Sequence, residues 1–116
     1  MSYSKIIYVA GKFQNQPENK IYIEQCCRRF SKEYPKYLFI NGVSQFSHYY
    51  DCTTQSEGID MCLKLMERCD EVWTVGEYEN SVGTYCEIKV AQALAIEVKE
   101  HMDKDFPMTN PEIKDE

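Results

Sequence analysis

Glu87 closes the stretch "ENSVGTYCE", residues 79–87, and stands directly ahead of the apolar run "IKVAQALAI". On a helix, Val90, Ala91 and Leu94 follow it at i+3, i+4 and i+7, so all four side chains share one face. A carboxylate on an apolar face is uncommon, because acids are rarely buried without a partner. Spacing alone leaves two readings open. Glu87 is either an acid in an early helical turn, favoured by the helix dipole, or a polar group in a pocket wall. Ser81 or Asn80 can cap this helix, and Gly83 permits a ligand to approach the backbone closely. The unpaired N–H groups of the first turn favour an anionic or polar ligand.

Other chemistries lack their residues. His48 and Cys52 are spaced i, i+4 as two metal ligands can be, but no second pair follows, and zinc sites take three or four protein ligands. No metal or cofactor is assigned. The glycines at 11, 42, 58, 76 and 83 form neither GxGxxG nor a phosphate loop ending in Gly-Lys-Ser/Thr, which removes the motifs for dinucleotide redox and triphosphatase chemistry. Asp70, ahead of a strand, reads as a turn or cap residue.

The elements that must position Glu87 alternate in type. "KIIYVAG", residues 5–11, is a continuous apolar run closed by glycine, as expected of a strand buried on both faces. From about Glu18 to Tyr34, Ile23, Cys26, Cys27, Phe30 and Tyr34 recur helically, and Pro35 ends the pattern. "KYLFING" is a second strand, and "VSQFSHYYDCTTQ" reads as a polar, aromatic loop too long for a tight connection. A helical stripe of Ile59, Cys62, Leu63, Met66 and Cys69 spans 56–69, "DEVWTVG" is a third buried strand, and the Glu87 helix runs to about Ile96. "IEVKE" is a short last strand. This alternation predicts a small doubly wound, flavodoxin-like or Rossmann-like parallel sheet of about four strands flanked by helices. Ligands of such sheets bind beyond the strands' carboxyl ends, here at loops beginning near Gly11, Gly42 and Gly76.

The 116 residues suffice for one domain, expected over 1–100, with 101–116 a charged, proline-bearing tail that is flexible or docks on a partner subunit. A net charge of −6 argues against binding DNA or RNA, which requires clustered cations. The cluster Arg28, Arg29, Lys32 lies beside acids and reads as a solvated helix face. No run approaches the roughly 20 apolar residues that cross a bilayer, and no signal peptide is apparent, so a cytoplasmic chain without a membrane partner is expected. In that setting the six cysteines read as reduced thiols, Cys26, Cys27, Cys62 and Cys69 at core-like positions.

"YVAG" at the first strand end, "LMERCDEVWTVG" and "NSVGTYCEIKVAQALAI", taken in order, resemble the nucleoside 2-deoxyribosyltransferase superfamily, in particular its small bacterial and phage relatives. "QFSHYYDCTTQSEGIDMCLKLMERCD" is similar to the same relatives, and the likeness spans most of 5–98. The resemblance implies a glutamate nucleophile that displaces the base and holds the sugar covalently, a role that falls on Glu87. It implies an orienting tyrosine at the first strand end, matched by Tyr8, although a strand aromatic can equally belong to the core. Phe13 in the first loop can stack on a base or cover the sheet end. A desolvated carboxylate is a competent nucleophile for retaining glycosyl transfer. Two positions depart from the pattern: Ser81 and Cys62 stand where the superfamily's transferases carry aspartates.

The expectation is therefore a pocket for a nucleoside or nucleotide, with catalytic Glu87 and Tyr8 and with Gly11, Phe13, Asn80, Ser81 and Gly83 against the ligand. Hydrolysis or deoxyribosyl transfer at an N-glycosidic bond is the first reading. A non-catalytic binder of a nucleotide-derived metabolite or signal is the alternative, and a vestigial pocket in an assembly protein a third. The resemblance further implies a homo-oligomer, dimer or larger.

Overall fold

The computed structural model describes residues 2–104. Four parallel strands, β1 (Lys5–Ala10), β2 (Tyr37–Ile40), β3 (Glu71–Thr74) and β4 (Glu97–Lys99), form one sheet in the order β2-β1-β3-β4. Helices α1 (Pro17–Glu33), α2 (Gly42–Phe46), α3 (Gln55–Met66) and α4 (Val82–Ala93) connect and cover them. The sheet is that of a doubly wound Rossmann-like or flavodoxin-like domain, as the alternating pattern predicts.

The period of two along β1 divides the core in two. Ile7 and Val9 face α1 and pack with Ile23, Cys26, Phe30, Trp73 and Val75. Tyr8 and Ala10 face α3 and α4 and pack with Cys62, Met66, Cys69, Val72 and Ala91. Both faces of β1 are thus buried, which explains its unbroken apolar run. All six cysteines are free thiols; Cys26, Cys62 and Cys69 are buried and Cys27 is half-buried. Asp70 ties the foot of β3 to β1: its Oδ2 accepts the Ile6 N–H at 2.7 Å, and its own N–H donates to the Ile6 carbonyl at 2.8 Å.

Two expectations about the elements are corrected. The stretch 43–55 is no open loop, since it holds α2 and a 3-10 segment over Ser47–Cys52. Asn41 caps α2 by accepting the Ser44 N–H at 2.7 Å, and Ser44 in turn donates to Glu24 on α1, so a five-residue helix is held from outside. On α4, the buried stripe is Thr84, Glu87, Ile88 and Ala91. Leu94 does not continue it: the helix ends at Ala93 and Leu94 is 51% exposed.

Past β4, a 3-10 turn over Met102–Lys104 packs back on the domain. Asp103 accepts from the Tyr22 hydroxyl and the Gly76 N–H, and the His101 ring stacks on Tyr78. The remainder of the expected tail, 105–116, lies outside the described residues. No helix among the described residues is long and apolar enough to cross a membrane.

Candidate active site

At the carboxyl end of the sheet, between the β1–α1 loop and the N-termini of α3 and α4, lies a cavity of about 330 Å³. That size falls at the small end of the range small-molecule sites occupy, roughly 300–1,000 Å³. Gly11, Phe13, Asn80, Ser81, Gly83 and Glu87 all line it. A second cleft, about 800 Å³, lies between Lys12, Tyr22, Glu77 and His101 and meets the first only at Gly11.

Local sequence sets both helix starts. Ser81 caps α4 by accepting the Thr84 N–H at 3.2 Å, and its hydroxyl donates to Thr84 Oγ1 at 3.1 Å. The cap is therefore Ser81; Asn80 sits at the cavity rim, and its carbonyl faces Gln14. At α3, "TQSE" forms a capping box: Thr54 Oγ1 accepts the Glu57 N–H at 3.1 Å and Glu57 Oε1 accepts the Thr54 N–H at 2.8 Å. Thr54 and Gln55 thereby reach the same cavity as the α4 terminus. Gly83 is helical, and a Cβ there would meet nothing closer than Ile59 at 3.8 Å, so packing within the chain does not demand glycine.

Glu87 projects from the second turn of α4 into the cavity wall and is only 7% exposed. Tyr8, fully buried on β1, stands behind it and donates its hydroxyl to Glu87 Oε2 at 2.6 Å. Tyr8 does not itself line the cavity. Burial raises the Glu87 pKa to about 7, and the Tyr8 hydrogen bond pulls it down against that trend. Burial, together with the neighbouring Glu87 charge, holds the Tyr8 phenol well above its ordinary range, so it stays a donor. No Lys or Arg is among the described residues lining the cavity, and Glu87 is the one acid there.

Phe13 is half-buried on the cavity wall with its ring tilted against Tyr50, centroids 5.6 Å apart. Tyr50 and Cys62 are site residues that pattern reading did not assign. Tyr50 lies in the 3-10 segment, and its hydroxyl is 3.4 Å from Cys62 Sγ. Burial pushes the Cys62 thiol pKa up, so it remains protonated. The "TQSE" box was a readable signal for the α3 terminus; nothing in "SHYYDC" singles out Tyr50 from Tyr49. His48 stacks on Tyr49, and Cys52 donates to the Tyr49 carbonyl; neither lines the cavity.

A second buried carboxylate, Glu71, occupies the opposite end of the sheet. It accepts from Lys5 and from Trp73 Nε1 at 2.8 Å, and Lys99 Nζ lies 3.5 Å away. Burial acts to raise its pKa, but these three donors outweigh it and the carboxyl titrates below its ordinary range. Glu71 is therefore a neutralised structural acid, whereas Glu87 has no cation beside it among the described residues.

Compared with known proteins, residues 5–101 match the family described as a domain of unknown function, DUF7768. No curated protein matches the chain. The match covers most of the chain, and the chain belongs to that family.

Proposed function

We propose that this small α/β domain cleaves the N-glycosidic bond of a nucleoside or nucleotide, with Glu87 as nucleophile. One observation carries the reading: a buried carboxylate in a cavity wall beyond the strand ends, given, among the described residues, a single tyrosine donor and no cation. Burying an acid this way costs stability, and a structural acid would be expected to have the partners that Glu71 has. The likeness to the nucleoside 2-deoxyribosyltransferase superfamily supports the same assignment, since Tyr8 and Glu87 stand at its tyrosine and nucleophile positions.

Tyr8 holds Oε2 and leaves Oε1 for the anomeric carbon. As the C–O bond forms, the C–N bond breaks and the base departs with the bonding pair. Glu87 is the one acid lining the cavity among the described residues, so the departing base takes its proton from water rather than from a second carboxyl. Water then opens the glycosyl ester, or a second base takes the sugar. Phe13 offers a ring face to a base, and the capped N-termini of α3 and α4 offer polar backbone to the sugar side.

The lack of a second acid also favours the runner-up, a binder that holds the same ligand without turnover. Incubating the protein with a panel of nucleosides and nucleotides, with released base resolved by chromatography, tests both. Base release from wild type and none from Glu87→Gln is expected; ligand retained intact by both proteins replaces the enzyme with the binder.

The reading includes a homo-oligomer. Val82 and Tyr85, 58% and 60% exposed on α4 beside the cavity, provide an apolar edge for a second copy to cover. Sedimentation should give a dimer or larger species; a monomer at micromolar concentration with ligand present would remove this part.

A further inference from the structure

The charge of the cavity is one-sided. Among the described residues that line it, Glu87 is the one charged side chain, and no Lys, Arg or His accompanies it. A group able to protonate a departing base is missing from the same residues. The Tyr50 hydroxyl and the Cys62 thiol line the cavity, but burial lifts both pKa values, so each keeps its proton at neutral pH. Tyr8 has already committed its hydroxyl to Glu87.

These facts limit which N-glycosidic bond the site can break. When an ionised carboxylate displaces a neutral base, the bonding pair leaves on the ring nitrogen and the negative charge passes to the base. Neither an acid nor a cation meets it there. General acids contribute roughly 10²–10⁴-fold to such steps. When the base is already a cation, as in a pyridinium nucleoside, the same electron pair cancels its charge. Carboxylate and pyridinium become ester and neutral pyridine, and no proton is needed. Removing two charges also relieves the desolvation penalty that a buried site imposes on ions.

The cavity suits such a ring before it reacts. Phe13 and Tyr50 line it with ring centroids 5.6 Å apart, and aromatic faces attract cations. A Cβ on Gly58 would lie 3.2 Å from the Tyr50 ring, so glycine lets this ring rest against α3. A cationic ligand brings Glu87 the opposite charge that the described residues do not supply. The net charge of −6 draws cations toward the protein. The opposing field is that of the α3 and α4 N-termini. Thr54 and Ser81 take up part of it by accepting the Glu57 and Thr84 N–H groups, and a sugar's oxygens match the rest. A cavity of about 330 Å³, small for a ligand site, fits a base of one ring with its sugar.

We propose that the cavity takes a nucleoside whose base is a cationic single-ring heteroaromatic of the pyridinium class, and that Glu87 displaces this base as a neutral pyridine. The cleavage rests on the reading of Glu87 as nucleophile; the preference for a cationic ring does not. Glu87 Oε1 bonds to the anomeric carbon as the C–N bond breaks, and that pair returns to the ring nitrogen. Water then bonds to the same carbon, the ester pair returns to Glu87, and the proton from water passes to solvent.

Two measurements on the intact chain test this. In the first, nicotinamide riboside is compared with uridine and adenosine at pH 8, above the Glu87 midpoint of about 7, each over its Glu87→Gln background. Release of base from nicotinamide riboside should be faster by about 100-fold or more, the scale of the missing acid catalysis. Comparable or faster release from a neutral nucleoside overturns the proposal and leaves the glycosidic reading intact. The second needs no cleavage: calorimetry with 1-methylnicotinamide, a cation, and nicotinamide, its neutral counterpart. Wild type should bind the cation about 10-fold tighter, Glu87→Gln should lose the preference, and Phe13→Leu should weaken it. Equal affinities in wild type overturn the proposal. A cation preference without release from any nucleoside upholds the ligand class and defeats the glycosidic reading.

Discussion

Tyr8 on β1 and Glu87 on α4 meet through a 2.6 Å hydrogen bond across 79 residues of sequence, and among the described residues this is the one side-chain donor to a carboxylate that burial pushes to a pKa of about 7. Glu71, buried to a similar degree, shows the alternative: with Lys5, Lys99 and the Trp73 indole around it, it titrates below the usual range. The same domain therefore carries one acid stabilised as an ion and one kept poised. Poising near neutral pH is useful for chemistry and unfavourable for stability.

Glu87→Gln keeps the side chain's shape and an oxygen for Tyr8 while removing the attacking charge. Base release should fall on the order of 10³-fold or more, with ligand affinity retained to within a few-fold. Chromatography of released base and calorimetry on the same two proteins check this. Undiminished release in the variant would take Glu87 out of the mechanism.

The nucleophile must be ionised, so base release should rise with pH through about 7. Tyr8→Phe removes the one interaction that lowers the Glu87 pKa, so the acid limb should move upward. Activity lost at pH 7 should then return in part at pH 9. An acid limb unmoved by Tyr8→Phe would detach the tyrosine from the carboxylate.

Stability should show the opposite face of the same group. In the unfolded chain Glu87 titrates near its ordinary 4.5, and in the folded chain near 7, so between these values the folded state holds a proton that the unfolded state has released. Its contribution is complete below about 4.5 and declines as pH rises toward 7, by an amount on the order of 3 kcal/mol. Glu87→Gln is neutral throughout and should therefore melt higher than wild type at pH 8, with the gap closing near pH 4.5. Denaturant titrations at the two pH values measure it; equal stabilities at pH 8 would mean that burial does not strain this acid.

How far the sequence discloses these features depends on whether each is set locally. The strand core is legible because Ile7 and Val9, and Tyr8 and Ala10, each need an apolar face to cover them, which leaves an unbroken run. Ser81 and Thr54 are legible as caps because a cap bonds within its own first turn. α2 is not, since its five residues have no period of their own and depend on Asn41 and on Glu24 from another helix. Leu94 fits the helical spacing of Glu87 yet falls outside, because α4 stops one residue short of it. Glu71 looks like the polar edge of a strand in "DEVWT"; only the fold brings Lys5 and Lys99 to it. Tyr50 and Cys62 meet hydroxyl to thiol only once the 3-10 segment folds over α3, a relation across two elements that no periodicity records.

Two glycines at the site should respond differently to the same substitution. Gly42→Ala places a methyl 2.4 Å from Cys62 Sγ and 2.5 Å from Tyr8 Oη, both buried and both already engaged. It should destabilise the domain by about 1–3 kcal/mol and raise the midpoint of Glu87, because Tyr8 must shift. Gly83→Ala meets only Ile59 at 3.8 Å within a helix, so the fold should tolerate it and gain about 0.5–1 kcal/mol. Gly83 nevertheless lines the cavity beside Ser81 and Glu87. If a ligand's sugar lies against the first turn of α4, the added methyl occupies its place, and affinity should fall although stability rises. Thermal melts and ligand titrations on both variants separate these effects. Unchanged affinity in Gly83→Ala would move the ligand away from the α4 terminus and toward the Phe13 side of the cavity.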